Sequence, residues 1–389
     1  MSTRSRTSSP LAAAPAVAPD AERDGDPDGD GDGDTDLDAA EAPHGVDAYT
    51  LPPGADPALD WGLRSHLHAD GSPRLVERQL IVPPELAGLR LDHFIKTQIA
   101  RLSRTKIQDV IDSQLHRVAP GSGRLKPATI VTAGERFVIR RAARQEPACP
   151  RTFALVHADP RVYVVDKPAL LPVHASAKFY FNTLTRVLAE RFPEEPELQI
   201  CHRLDRETSG CLVVARDRGA AVTVKGAFAT KDRVRKEYLA VVHGRAPWDG
   251  EATLDIPLRL AEPTDATRLP HIRMLPGPGG LQAITKVQVV RRSPDDQRSL
   301  VRCVLVTGRQ HQIRAHLAAV GFPIVGDKLY AHGDDAFIRF CDEGLVPELA
   351  RLFTLPRHAL HAHRVTFPHP DGGTVTAEAP LPGDLAALL

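Results

Sequence analysis

The sequence predicts an α+β protein, a mixed, largely antiparallel sheet over about residues 151–389 preceded by a small α/β unit. Three observations predict it. Beyond about residue 151, short valine-rich apolar runs recur, each bounded by Gly, Pro or charge as strands are. Helical stretches fall between some of these runs, yet several strands follow one another without regular βαβ alternation, which favours α+β over a doubly wound sheet. At 389 residues the chain is also too long for one ordinary domain.

The N-terminal stretch comes first. Residues 1–60 are rich in Ala, Pro, Asp and Gly and have almost no apolar periodicity. They hold three arginines against fourteen acidic residues, a balance of −11, which leaves 46 basic and 35 acidic residues, or +11, for the rest. The net charge of zero therefore hides a basic body behind an acidic tail, a distribution typical of nucleic-acid binders. "DGDPDGDGDGDTDLD" invites a calcium-loop reading, but such a loop needs Gly sixth and Glu twelfth. Counting from Asp24, Gly29 fits and Thr35 does not; counting from Asp28, Gly33 fits and Ala39 does not. Residues 1–75 are expected to be a disordered acidic tail and linker, and removal of 1–70 to leave function intact.

The next element is the small unit, 80–142. Ser103 is a good helix N-cap, and Ile107, Val110 and Ile111 after it repeat at helical spacing. Arg101, Arg104, Lys106 and Arg117 cluster near that helix. "TIVTAGERFVIR" reads as two short strands about an Ala133-Gly134 turn, and "RRAARQEPACP" as a second linker. From 151 to 389 the strand candidates are "VYVVDK", "CLVVA", "YLAVV", "AITKVQVV" and "VRCVLV"; "FNTLTRVLAERF" and "GRQHQIRAHLAAVG" read as helices. No repeat and no Gly-rich phosphate loop is present.

Composition narrows the remaining classes. No stretch approaches a membrane span and no basic-then-apolar leader opens the chain, so a cytoplasmic protein is expected. The five cysteines are scattered, odd in number and without a CxxC pair, which indicates reduced thiols and no zinc site. No coiled-coil pattern appears, and a monomer is expected.

Three clusters carry candidate chemistry. In "CHRLDRETSG", 201–210, Asp205 stands between Arg203 and Arg206 at the foot of an apolar strand, and Thr208-Ser209-Gly210 suggests a tight turn. Such an Asp is either an ion-pair residue holding a strand end or a carboxylate kept ionised in a cleft by its arginines. In "KEYLAVV", 236–242, Tyr238 is either an aromatic at the sheet edge or a ring that stacks on a base. In "TGRQHQIRAHLAAVGFPIVGDKLY", 307–330, helical spacing groups Arg309, Gln312 and His316 on one face, with His311 and Arg314 beside them. His311 and His316 are five apart and match no helical metal pair; a basic helix facing an anion is the better reading. Arg314 could pair with a buried carboxylate or contact phosphate.

Together these clusters, preceded by "VVDKPALLPVH" at 164–174, resemble the RluA-like pseudouridine synthases in order and spacing over about 151–389. Residues 88–141 resemble the alpha-L RNA-binding domain, of the type found in small-subunit ribosomal protein S-four, although "HRVAPGSGRLKPATIV" departs from its usual Val-Asn-Gly pattern. The resemblance implies conversion of uridine within RNA to pseudouridine with no metal, nucleotide or redox cofactor. It implies that Asp205 assists glycosidic cleavage, Tyr238 stacks on the uracil, Arg314 ion-pairs with Asp205, and Arg203 enters the gap left by the flipped nucleotide. Leu360, in "ALHAH", matches an apolar residue lining the pocket. His202, Lys167 and Arg309, with Arg104 and Lys106 of the small unit, complete the expected RNA-binding set. Arg206 and Glu207 receive no role, and the twin triplet Arg90-Leu91-Asp92 is expected to be structural.

The RNA is expected to be that of the large ribosomal subunit, because an accessory RNA-binding unit precedes the catalytic one; transfer RNA is the alternative. A non-catalytic RNA-binding protein on the same fold is the competing class, and a nucleoside hydrolase a third, which would need a second acid or a metal-binding Asp cluster.

Overall fold

The computed structural model describes residues 51–52, 55–100, 102–118, 123–176, 178–230 and 233–389. Nearly all of the acidic stretch, including the candidate calcium loop, and Arg101 of the basic cluster lie outside the described residues. The chain divides into two compact units, one built from residues 75–141 and a larger one from 142–389 together with 51–74.

The smaller unit has three antiparallel or edge strands in the order β1-β3-β2, with β1 Leu75–Ile81, β2 Leu115–Arg117 and β3 Arg136–Ala142. Two helices, Leu91–Gln98 and Arg104–Ser113, cover it. Ser103 caps the second helix, its Oγ accepting from Lys106 N at 3.3 Å. Ile107, Val110 and Ile111 pack with Phe94 and Phe137 in its core, as their spacing demands. The expected strand before Gly134 is only an isolated bridge, Arg90 to Ile130; the chain there bonds to residues 89–91 rather than to the strand after the turn. Arg90 and Asp92 pair with each other at 2.7 Å.

The larger unit is a mixed ten-stranded sheet, ordered β4-β5-β7-β14-β8-β13-β12-β9, with β15 on β14 and β6 on β7. The strands are β4 Ala154–Ala158, β5 Val162–Lys167, β6 Gln199–Ile200, β7 Ser209–Ala215, β8 Arg235–His243, β9 Ala252–Asp255, β12 Ile284–Arg292, β13 Arg298–Leu305, β14 Leu360–Pro368 and β15 Thr374–Glu378, while β10 Leu258–Leu260 and β11 Met274–Pro276 form a separate ribbon. All five valine-rich runs are strands of this sheet. Its pairings are antiparallel except β7 with β14, which is parallel.

β7 explains why its sequence is apolar without alternation: both faces are covered. Leu212 and Val214 enter the core shared with helix Leu184–Arg191; Cys211, Val213 and Ala215 enter the core beneath helix Arg218–Thr230. Gly210, the second residue of this strand, has φ 109°, and a Cβ there would lie 2.2 Å from the Ala362 carbonyl oxygen of β14. Only glycine allows the two strands to approach this closely. The late strand β14 is thereby inserted between β7 and β8.

Both stretches read as linkers are bound to the larger unit. Cys149 N donates to Trp61 O, Arg151 N to Asp60 O, and Asn182 Nδ2 to Gly62 O. Glu146 is buried and accepts from Phe181 N and Asn182 N, and the Arg74 guanidinium lies 4.0 Å over the Phe181 ring. Backbone groups satisfied in this way belong to folded structure, not to free connectors.

Candidate active site

The charged run 203–209 forms a tight turn between β6 and β7. Thr208 N donates to Asp205 O at 3.0 Å, so the turn spans Asp205–Thr208, and Ser209-Gly210 already belong to the strand. The turn ends where β7 meets β14, which stands next to β8. This arrangement gathers the turn, the start of β14 and the Tyr238 segment of β8.

Arg314 comes to the turn from helix Gln312–Ala319. Its Nη1 donates to Asp205 Oδ2 at 3.0 Å. Its Nε and Nη2 donate to Asp327 Oδ2 and Oδ1 at 2.7 and 3.1 Å. Arg314 and Asp327 are buried, whereas 24% of the Asp205 side chain remains exposed. Asp205 is thus the one carboxylate of the trio open to an incoming molecule. Burial pushes its carboxyl pKa up, but the charges of His311, Arg314 and Arg203 outweigh burial and hold it below the ordinary value. Arg314 and Arg203 carry this effect at neutral pH, because burial lowers His311 to about 4 and leaves that ring neutral.

Tyr238 is buried in interior strand β8, not at the sheet edge. It shares an apolar cluster with Leu171, Leu204, Ile313 and Leu360. Burial, followed by the nearby Asp205 charge, raises its phenol pKa, so the hydroxyl stays protonated at neutral pH. Arg203 is exposed on the approach to Asp205, and Arg309 is half-buried, its Nε donating to Gln282 O at 3.2 Å. Arg104 and Lys106 are exposed on their own helix of the smaller unit.

Three readings change. Lys167 is not at the RNA surface. It is completely buried, and its Nζ donates to Pro168 O, Leu171 O and Arg206 O at 2.9, 2.9 and 3.2 Å. Burial and then Arg357 lower its pKa to about 7, yet three carbonyl acceptors match the three N–H bonds of an ammonium and none remains for phosphate. His202 is turned away as well. Its ring stacks on Phe228 at 4.6 Å and its Nε2 accepts from Val213 N at 3.1 Å. Burial, and after it Lys236, lowers its pKa to about 3, so it is neutral. The helix expected from Gly308 begins only at Gln312, with His311 before it in the left-handed region at φ 50°. Its polar side chains face inward: His316 bridges Thr285 Oγ1 and Ile256 O at 3.0 and 2.9 Å.

Sequence reasoning missed three residues around the turn. Asp327 orders Arg314. Glu207, without a role in the sequence, is buried and accepts from Lys328 Nζ with both carboxylate oxygens at 2.9 Å and from His358 N at 2.9 Å. Lys328 and Asp327 stand in the quoted "GDKLY" stretch, but no local feature there announces their partners, Glu207 at 121 residues' separation and Arg314 at thirteen.

The family model for RNA pseudouridylate synthase matches residues 161–319, which include Asp205, Tyr238 and Arg314. The chain is 33% identical over 316 residues to the ribosomal large subunit pseudouridine synthase D of Neisseria meningitidis serogroup A, covering 80% of each chain. It is also 33% identical over 316 residues to the ribosomal large subunit pseudouridine synthase C of Salmonella typhimurium, covering 78% of this chain and 92% of that one. Among solved structures, human RNA Pseudouridylate Synthase Domain Containing 1 is 26% identical, covers 61% of this chain and 86% of that chain, and superposes with a TM-score of 0.47. With its mixed sheet and cleft carboxylate, the chain falls in the class of RNA-modifying isomerases. It belongs to the RNA pseudouridylate synthase family, in its RluA-like branch.

Proposed function

We propose that this enzyme isomerises uridines of large-subunit ribosomal RNA, with Asp205 as the group that acts at the glycosidic bond. The observation that carries the assignment is the partly exposed Asp205 carboxylate, bonded at 3.0 Å to an arginine that is itself buried and fixed. The ribosomal substrate rests on the names of the similar bacterial enzymes.

In the reaction the bond between uracil N1 and ribose C1′ breaks, the base turns, C5 bonds to C1′, the C5 proton leaves and N1 gains a proton. Cleavage builds positive charge on the sugar. A carboxylate that is ionised and already oriented stabilises that charge without reorganising. Arg314 keeps Asp205 ionised despite partial burial. The target must leave its stack, at a cost of a few kcal/mol; Tyr238 offers a ring against the extruded uracil, and Arg203 a planar cation for the gap. Leu360, in the same apolar cluster as Tyr238, would form part of the wall around the base. The smaller unit adds RNA affinity through Arg104 and Lys106. No helix of the described residues is long and apolar enough to cross a membrane, and a monomer working on cytoplasmic ribosomal RNA is the setting we infer.

Release of tritium from RNA labelled at uridine C5 tests the chemistry. Asp205→Ala is expected to release none beyond background, and an active variant would overturn the role of Asp205. Mapping pseudouridines in a deletion strain tests the substrate. Loss of sites in 23S-type RNA supports the proposal, and loss only in transfer RNA refutes it.

A further inference from the structure

Asp327 lies thirteen residues beyond Arg314, outside the helix that carries it, and touches no part of the open cleft. Its carboxylate accepts four hydrogen bonds. Two come from Arg314 Nε and Nη2, and two reach Oδ1 from the backbone N–H groups of Leu329 and Tyr330 at 3.0 and 3.1 Å. A carboxylate held by its own following backbone cannot move with the guanidinium; it dictates where the guanidinium lies. With Nε and Nη2 occupied, the planar group is fixed in rotation, and Nη1 is left aimed at Asp205 Oδ2. The Tyr330 ring adds a wall 5.3 Å from the guanidinium carbon.

We propose that Asp327 is a positioning residue for the isomerisation, acting through Arg314 to set the orientation of the Asp205 carboxylate. The proposal rests on the assignment of Asp205 made above. A buried arginine with only one anionic partner would be free to turn or to draw Asp205 toward itself. With Asp327 as the fixed partner, the adjustable one is Asp205. The same segment grips the turn a second time, because the next residue, Lys328, holds Glu207.

The test is Asp327→Asn, which keeps shape but cannot accept from both guanidinium nitrogens. Single-turnover isomerisation, scaled to the folded fraction, should fall about a hundredfold, as a misplaced catalytic group implies, while RNA affinity changes less than about threefold. The acid limb of the rate profile should move up, because a displaced Arg314 no longer fully opposes the burial of Asp205. A rate per folded molecule within about threefold of wild type would overturn the proposal. So would an acid limb moved downward, which would mean that Asp327 acts only as a repelling charge. If Asp327→Asn does not fold, Arg314→Lys serves instead: an ammonium cannot span both carboxylates, and near wild-type activity would sink the idea. Carbon-13 NMR titration of labelled aspartate carboxyls, assigned with Asp205→Asn, separates this from the parent reading. Should Asp205→Ala prove active, the catalytic role fails, yet the Asp205 titration in Asp327→Asn would still report whether Asp327 positions it.

Discussion

Replacing Lys328 with Met removes one charge from a buried pair and leaves the shape of the side chain nearly unchanged. In the native protein the Lys328 ammonium donates to both oxygens of Glu207 and to Pro356 O, all at 2.9 Å, and lies 5.1 Å over the Phe340 ring. Methionine keeps the packing on Phe340 but leaves Glu207 with His358 N at 2.9 Å and Arg206 at 3.3 Å as its remaining donors. Breaking a buried pair from one side costs about 3–5 kcal/mol, most of it the uncompensated charge. For a unit of this size each kcal/mol is worth about 2–4 °C, so the expected loss in Tm is about 6–20 °C. Both tryptophans, Trp61 and Trp248, belong to the larger unit, so their fluorescence in urea follows that unit alone. Glu207→Gln should cost a similar amount by stranding the ammonium, whereas the double variant, with neither charge, should lose no more than about 2 kcal/mol. The single Gln variant also carries a pH signature. Burial already lowers the Lys328 pKa, and Glu207 opposes that shift. Without Glu207 the folded state binds fewer protons than the unfolded one over a wider range, so stability rises with pH and the penalty shrinks from pH 7 to pH 9. Single variants that cost under about 1 kcal/mol, or a double variant equal to the sum of the singles, would refute the account of the pair.

Three further outcomes are expected. The Asp205 pKa is depressed, so the stabilisation from its pair with Arg314 is present above the unfolded value of about 3.9 and is lost as pH falls through the lower folded value; single-turnover rates should be flat with respect to this group from pH 5 to 8, and a decline that begins near pH 6 would contradict the pairing. Removing residues 1–50 should leave activity on a model RNA within about threefold, but removal through 74 strips Trp61, Gly62 and Arg74 from Cys149, Asn182 and Phe181 and should lower stability by at least about 2 kcal/mol; equal stability of the two truncations would show that the strap is dispensable. Arg104→Gln and Lys106→Gln should each weaken RNA binding and reduce the salt slope by up to about one, and an unchanged slope measured by filter binding would exclude this face from the contact.

The strands were legible because β5, β7, β8, β12 and β13 are valine-rich, and bury both faces or one full face. β14 was not, although it stands at the centre of the sheet. Its sequence "LHAHRVTFP" carries His361, His363 and Arg364. His361 is tolerated inside because Ser209 and the Ala379 carbonyl satisfy both ring nitrogens at 2.9 and 3.2 Å, and such remote partners leave no periodic trace. The charge at Lys167 and His202 was read as facing RNA for the same reason: a sequence reveals a donor or an acceptor but not whether it meets a phosphate, a carbonyl or a backbone N–H. Asp205, Tyr238 and Arg314 stand out in three charged or aromatic motifs that a family resemblance ties together, while Asp327 and Glu207 emerge only from coordinates, because each partner pair is fixed by tertiary packing.

The density of charge before β7 follows from how the turn is held. Lys167 holds the Arg206 carbonyl, and Lys328 holds Glu207. His358 Nε2 meets the Thr208 hydroxyl at 2.8 Å, and Arg357 donates to Ser209 Oγ at 3.2 Å while bound on its far side to Asp384. These partners come from three places, the end of β5, the segment that holds Lys328 and the segment just before β14, so the turn is anchored on three sides. A loop so tied has little freedom left to lose on binding, and in the proposed role of Asp205 its carboxylate would need no reorientation at the moment of cleavage. The same anchoring makes the site and the core one structure. A variant that loosens Glu207 or Lys167 should therefore lower stability and rate together, whereas one at exposed Arg203 should lower rate alone.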